Sequence, residues 1–275
     1  MAQLVAVLQN DPALLSCQLH RLDRAVDLVT GPGKVVGVGY FENGKVLLRK
    51  RPVVGEVTLE AAGADVKSEM FVAASHGLPP GGFREEDTEP YRFRNWVFAG
   101  TGRILPLGER QKVVEELPGF LQRGLVGPSD AELAFLATLG HVQAESRLID
   151  ALDLPPDVVG RALAKTLARL DVRARESGVA LPQTCALVSN GRVVAAIRRG
   201  RPLSYALLEG LIDCPVCGID RTTSERDVRV RPHRMLKAVA LATRPRQDGV
   251  QWLDVPDNHL VTISRALEVR LTPLG

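Results

Sequence analysis

The order of elements along the chain predicts an α+β fold in which antiparallel sheets pack against helices. Three observations carry that expectation. β-rich runs open the chain and are joined by an Asn-Gly step; two long stretches of helical periodicity fill the middle; β-rich runs return towards the end. No alternation of strand and helix suited to a parallel sheet is present, and no internal repeat or low-complexity linker. A single domain over residues 1–275 is therefore the simplest expectation.

Gln3-Leu-Val-Ala-Val-Leu8 is short and apolar and reads as a buried strand. Val35 to Phe41 and Lys45 to Arg49 are β-rich and flank Asn43-Gly44, both of which tolerate positive φ, so they read as a hairpin. Glu69–Ser75 and Trp96–Ala99 are further strands. Ser129-Asp-Ala-Glu132 has the pattern of a capping box and starts a helix, with Leu133, Leu136, Ala137, Gly140 and Ala144 on one face. A second helix follows Pro155-Pro156, carries Val159, Leu163, Thr166, Leu167 and Leu170 at helical spacing, and ends at Ser177-Gly178. Asn190-Gly191 joins Cys185–Ser189 to Arg192–Arg198, and Asp248-Gly249 precedes a strand over Gln251–Val255. Ala238–Thr243, His259–Ser264 and Leu267–Leu271 complete the strands.

The composition is 45% hydrophobic and 24% charged, that of a globular protein with a substantial core. Aromatics are only 4%, so Val, Leu, Ile and Ala must build that core. Net charge is +3, with arginines grouped at Arg192, Arg198, Arg199 and Arg201 and again from Arg221 to Arg234. A nucleic-acid binder would carry a stronger excess or a basic stripe backed by stacking aromatics, so nucleic acid is not the expected partner. A solvated surface explains the arginines, and an acidic protein partner would also suit them. No signal peptide and no apolar run of membrane-spanning length is read, so neither a membrane nor secretion is expected. Four cysteines are too few for a disulfide scaffold, and the cytoplasm is the expected compartment.

Cys214-Pro-Val-Cys217 is the one distinctive local motif in the last third. Thiolates at this spacing hold zinc or exchange as a redox pair. Four ligands are required for structural zinc. Cys185 and His233 are the available additions, but neither belongs to a second ligand pair, so a reduced or occasionally disulfide-linked loop is expected and no metal or other cofactor. Gly37-Val-Gly39 lacks the third glycine of a dinucleotide fingerprint and precedes a strand. No Walker motif, Gly-x-Ser-x-Gly elbow or His-Glu-x-x-His is present.

Several segments, in order, resemble the class II glutamine amidotransferases, especially their compact single-domain members. Ala2-Gln-Leu-Val-Ala-Val7 resembles that family's opening strand, and Val36-Gly-Val-Gly-Tyr-Phe41 with Asn43-Gly44 and Arg51-Pro52 its glycine-containing hairpin. Thr88-Glu-Pro-Tyr91 and Trp96-Val-Phe-Ala-Gly-Thr-Gly102 resemble its Thr-His-Pro-Phe and Phe-Ala-His-Asn-Gly stretches. Ser129-Asp-Ala-Glu132 resembles its Thr-Asp-Ser-Glu helix start, and Trp252 to Leu260 its closing strand pair. The resemblance implies a four-layer αββα sandwich of the N-terminal-nucleophile hydrolase type.

It also implies a chemistry that this chain lacks. The family attacks the glutamine amide with the thiolate of a Cys that follows the initiator Met; the free α-amino group can serve as base. An Asn and a Gly N–H hold the oxyanion, an Arg grips the substrate carboxylate, and an Asp accepts its ammonium. Here the nucleophile position is Ala2. The family's Arg falls near Ala73 within Phe71-Val-Ala-Ala-Ser75. The motif His is Glu89, and His-Asn-Gly is Gly100-Thr101-Gly102, which puts Thr101 in place of the oxyanion Asn. Gly102 and Asp130 remain, and Gly100, Thr101, Gly102 and Asp130 are the expected lining of a ligand pocket. Several changes around one pocket argue for a natural pseudoenzyme rather than a single engineered knockout. Cys17 is expected to be a small buried core residue rather than a replacement nucleophile, and His76 an ordinary loop histidine beside the pocket.

The expected function is thus a catalytically inactive amidotransferase-like module that binds a protein partner or a small ligand, with self-association compatible with the sequence. The alternative is an active glutamine or γ-glutamyl amidohydrolase, or an amidotransferase, with an unrecognised nucleophile.

Overall fold

A computed structural model describes residues 2–28, 31–79, 81–106, 108–147 and 149–274. Strands β1 (Gln3–Gln9), β2 (Lys34–Glu42), β3 (Lys45–Pro52), β4 (Met70–Gly77), β9 (Ser204–Glu209), β10 (Lys237–Ala242) and β11 (Leu253–Asp254) form one sheet in the order β11-β9-β10-β1-β4-β2-β3. Strands β5 (Tyr91–Phe93), β6 (Trp96–Gly102), β7 (Thr184–Ser189), β8 (Val194–Arg199), β12 (His259–Ile263) and β13 (Val269–Pro273) form a second, in the order β13-β12-β8-β7-β6-β5. The strand pairings are antiparallel in both.

The sheets stack face to face, and each carries helices on its outer side. α1 (Leu15–Asp23) and the short α2 (Leu59–Ala62) cover the first sheet. α5 (Asp130–Ser146) and α6 (Pro156–Glu176) cover the second, flanked by α3 (Arg110–Glu116) and α4 (Gly119–Gln122). α7 (Val230–Met235) lies just before β10. The result is the four-layer αββα sandwich.

This layering explains the opening run. β1 is buried along its whole length. Leu4, Ala6 and Leu8 face the layer between the sheets, while Val5 and Val7 face α1. A central strand with an apolar layer on both faces has no reason to alternate with polar residues. β7 repeats the arrangement: Cys185 and Leu187 enter the layer between the sheets, Ala186 and Val188 the layer under α5 and α6.

The Asn43-Gly44 hairpin is present, with φ of 51° and 75° at the two turn residues and Glu42 paired to Lys45. Other local readings need correction. Asn190-Gly191 starts a longer loop, because Ser189 pairs with Val194 and the Asn190 side-chain oxygen accepts the N–H groups of Arg192 and Val193. Gln251–Val255 contributes only β11, and the last strand is shifted to Val269–Pro273. The helix start at Ser129 is half a capping box: Ser129 accepts from Ala131 N–H, but Glu132 reaches further back, to the N–H groups of Val126 and Gly127. On α5, Ala144 is exposed, while Phe135, Leu139 and Val142 are buried; this Ala- and Leu-rich helix is covered on more than one side, so its periodicity does not single out a face. On α6 the expected face of Val159, Leu163, Thr166, Leu167 and Leu170 is buried.

Candidate functional site

At the N-terminal end of β1, a cleft of about 360 Å³ opens between the two sheets. Ala2, Glu89, Gly100, Thr101, Gly102 and Asp130 all line it, together with His76, Asp87, Tyr91, Arg103, Ile104, Ser129 and Ala131. Residues as far apart in sequence as Ala2 and Ala131 are gathered because β1, the end of β6 and the start of α5 meet at this edge.

Two glycines permit the packing around it. A Cβ on Gly37 of β2 would stand 2.0 Å from the Glu89 carbonyl oxygen, so only glycine lets the 89–90 segment lie against the strand. Gly102 has φ of 91°, and a Cβ there would meet the Gln183 carbonyl oxygen at 2.2 Å.

Glu89 is the electrostatic centre of the cleft. Its carboxylate accepts the Gly100 N–H at 3.1 Å. Burial pushes its pKa up to about 7, with the Gly100 hydrogen bond and the Lys50 charge pulling partly the other way. Near neutral pH the carboxyl group therefore populates both forms and can donate as well as accept. Thr101 is buried, and its carbonyl accepts the Thr184 hydroxyl at 3.1 Å.

Asp130 is not a free carboxylate. Arg110 donates to it at 3.2 Å and to the Gly127 carbonyl at 3.1 Å, which ties the first turn of α5 to the preceding loop. Ala73 lies elsewhere. In β4 it is fully buried on the α1 side, paired across the sheet with Val5 and Val38. The two-residue alternation of the strand sends Val72 and Ala74 into the layer between the sheets. Ala73 therefore faces α1 and not the layer between the sheets.

Sequence reading undervalued His76. Its Nδ1 pairs with the Gly77 carbonyl at 2.9 Å, and its Nε2 is buried without a partner among the described residues. Burial lowers its pKa, which favours the neutral ring. Asp87 Oδ1 is likewise buried without a partner, and the Tyr91 hydroxyl meets Ser129 while burial raises its pKa. The sequence signal for His76 was its place at the end of a strand leading to the same edge as Ala2: Gln3 pairs with Ser75.

None of the cysteines reaches this cleft. Cys185 pairs with Thr101 across β6 and β7 but points into the layer between the sheets, where burial pushes its thiol up to about 12. Cys17 is buried in α1, as expected of a core residue, and its neighbours are Cys214 and Cys217. Burial, followed by hydrogen bonding and charge interaction with those thiols, raises its pKa, so it is not a poised thiolate. It also lies beyond the opposite end of β1, a strand of seven residues and therefore roughly 20 Å long.

The arrangement is a polar cleft: the methyl group of Ala2 at the strand entrance, the Glu89 carboxyl group with its raised pKa, the His76 imidazole and the buried Asp87 oxygen. Its frame is the N-terminal-nucleophile hydrolase fold in the form found in class II glutamine amidotransferases. No protein-family model matches the chain, and no curated protein does. Among solved structures, it is similar to a glutamine aminotransferase class-II domain protein from Silicibacter pomeroyi, with a TM-score of 0.61 at 15% identity over 99% of both chains. A predicted glutamine amidotransferase from Pseudomonas aeruginosa gives 0.59 at 18% identity over 98% of both chains. Glutamine phosphoribosylpyrophosphate amidotransferase from B. subtilis gives 0.54 at 14% identity, over 99% of this chain and 49% of that one. At such identities the likeness is one of fold. No helix among the described residues is long and apolar enough to cross a membrane.

Proposed function

We propose that this chain is a catalytically inactive glutamine amidotransferase-like protein, built as one domain, whose cleft binds a small polar ligand. One observation carries the reading: the first strand delivers the methyl group of Ala2, not a sulfur, to the cleft. A methyl cannot attack an amide, and loss of the nucleophile removes the covalent route altogether. The substitution of Thr101 for the oxyanion Asn implied by the resemblance adds a further cost, since one such donor is worth about 100- to 1000-fold in rate.

Ligand binding is favoured by the unpartnered His76 Nε2 and Asp87 Oδ1 at the cleft, because buried polar atoms are ordinarily paired. A protein-contact role is the second reading, supported by apolar side chains left in solvent on the 210–236 segment, where Val228 is 86% and Met235 60% exposed beside arginines. Calorimetric titration with glutamine, glutamate and other small amino acids tests the first. Saturable binding of one molecule per chain that shifts the His76 ring resonances supports it. Absence of binding across the panel, with a stable protein partner recovered and abolished by Val228→Asp, moves the function to the surface. The hydrolytic alternative is tested by release of glutamate and ammonia from glutamine.

A further inference from the structure

Beyond the C-terminal end of β1, four side chains converge that the cleft does not use. Cys17 comes from α1, Cys214 and Cys217 from the connection after β9, and His233 from α7. Their three sulfurs and one ring nitrogen all lie within 4.8 Å of one another. Cys17 and Cys217 are 200 residues apart in sequence, yet their sulfurs stand 3.5 Å apart. A disulfide requires about 2.05 Å. Two sulfurs bound at about 2.3 Å to one tetrahedral zinc stand roughly 3.8 Å apart.

The histidine supplies an independent indication. His233 is 2% exposed, and its Nδ1–H donates to the Arg229 carbonyl at 2.8 Å. That bond fixes the tautomer and leaves the Nε2 lone pair, which is buried with no partner among the described residues. A ring held from behind by a backbone carbonyl, with its second nitrogen free, is the outer-shell arrangement that orients metal-bound histidines. The cysteine pair is held with similar care. Cys217 N–H and Ile219 N–H both donate to the Cys214 carbonyl at 3.2 Å, Cys214 N–H donates to the Ile219 carbonyl at 2.9 Å, and Gly218 takes φ of 63° to close the turn. Arg229 holds the Cys217 carbonyl from outside at 2.7 Å.

We propose that Cys17, Cys214, Cys217 and His233 form a closed zinc site. Three sulfurs and one nitrogen are a ligand set that zinc takes in tetrahedral form, and with all four positions filled by protein no place is left for substrate, so the role is structural. Cys17 and Cys214 are each 1% exposed, which keeps the centre dry. On loading, three S–H bonds break, three Zn–S bonds and one Zn–N bond form, and three protons pass to solvent without change of oxidation state. The segment from 210 to 236 buries little of its own: its apolar cluster is Leu14, Cys17, Cys214, Ile219 and Leu236, with Leu211 and Cys217 packed against it. Zinc pins this excursion to α1 and thereby secures the connection between β9 and β10, which continues the sheet beside β1.

The test is elemental analysis of the full chain purified under reducing conditions without chelator. One zinc per chain is expected, with little iron. After removal of metal by a chelator and reduction of all thiols, one equivalent of cobalt should bind and give the sulfur-to-metal charge-transfer band and intense visible bands of a tetrahedral centre. Cys17→Ser and His233→Ala should lower zinc affinity at least about tenfold, and Cys185→Ala, which lies in the layer between the sheets, should leave it unchanged. Wild-type protein that arrives without zinc and takes up neither zinc nor cobalt saturably after reduction overturns the proposal, whether or not the variants fold. So does iron as the stoichiometric metal, or loading that survives Cys17→Ser unchanged. The site and the cleft are separate: loss of either reading leaves the other standing.

Discussion

Glu89 makes the stability of this protein depend on pH in a defined sense. Its pKa rises from 4.5 to about 7 on folding, chiefly because the carboxylate loses water. Below the unfolded value, both states are protonated and the group adds no pH dependence. As pH rises from there, the unfolded chain ionises while the folded one keeps its proton, so the folded state becomes relatively less stable. The loss is complete once pH passes the folded value. The difference in pKa corresponds to about 3 kcal/mol between about pH 4 and about pH 8.5. Glu89→Gln keeps an oxygen that can accept the Gly100 N–H but does not titrate. Denaturant unfolding of both proteins across this range, analysed as the difference between them, removes the contribution of every other group. The variant should gain about 3 kcal/mol on the wild type from the acidic to the alkaline end, with the change falling mainly between about pH 4.5 and 7. A difference that stays flat would show that Glu89 ionises as it does in water, and that the cleft is wetter and less enclosed than described.

Three substitutions probe the frame around the site. Gly37→Ala drives a Cβ to 2.0 Å from the Glu89 carbonyl oxygen, and should cost about 1–3 kcal/mol in denaturant unfolding and displace the 89–90 segment in a crystal structure. Phe135→Ala removes a fully buried ring stacked on Phe98 at 5.4 Å, and should cost about 3–5 kcal/mol, seen as a fall in the thermal midpoint. Asp171→Ala strips the partner from Arg199, which donates to both carboxylate oxygens at 2.6 and 2.5 Å and links α6 to β8. It should cost about 3–5 kcal/mol by denaturant midpoint, because a buried guanidinium is left uncompensated.

Much of the sandwich was legible because its central strands are apolar runs bounded by turn residues and α6 has one clean face. The parts that were not legible have physical reasons. α1 is nine residues long and carries Leu15, Leu19 and Leu22 between polar side chains, too short a period to stand out. In β9, Leu207 and Glu209 are exposed and Tyr205 is only half-buried while Ser204 is buried, so its pattern resembles a loop. The cleft was legible through the ordered segments that converge on it, and Ala2, Glu89, Gly100, Thr101, Gly102 and Asp130 do meet there. The face that Ala73 takes was not legible, because a strand buried on both faces gives no sign of which face a residue takes. The cysteine–histidine cluster was half visible. Cys214 and Cys217 announce themselves by spacing, but Cys17 joins them only through the fold, and Cys185, the other cysteine in view, is held in the layer between the sheets. In sequence His76 and His233 look like the other histidines; the structure sets them apart by leaving a buried nitrogen of each without a partner among the described residues.

The most direct measurement is release of glutamate and ammonia from glutamine by protein whose N-terminus has been verified by mass. The account predicts no release above the buffer rate at any protein concentration, and none gained or lost on Cys17→Ala. Turnover that scales with protein would place a working nucleophile in this fold and contradict the assignment of Ala2 as the end of the hydrolytic route.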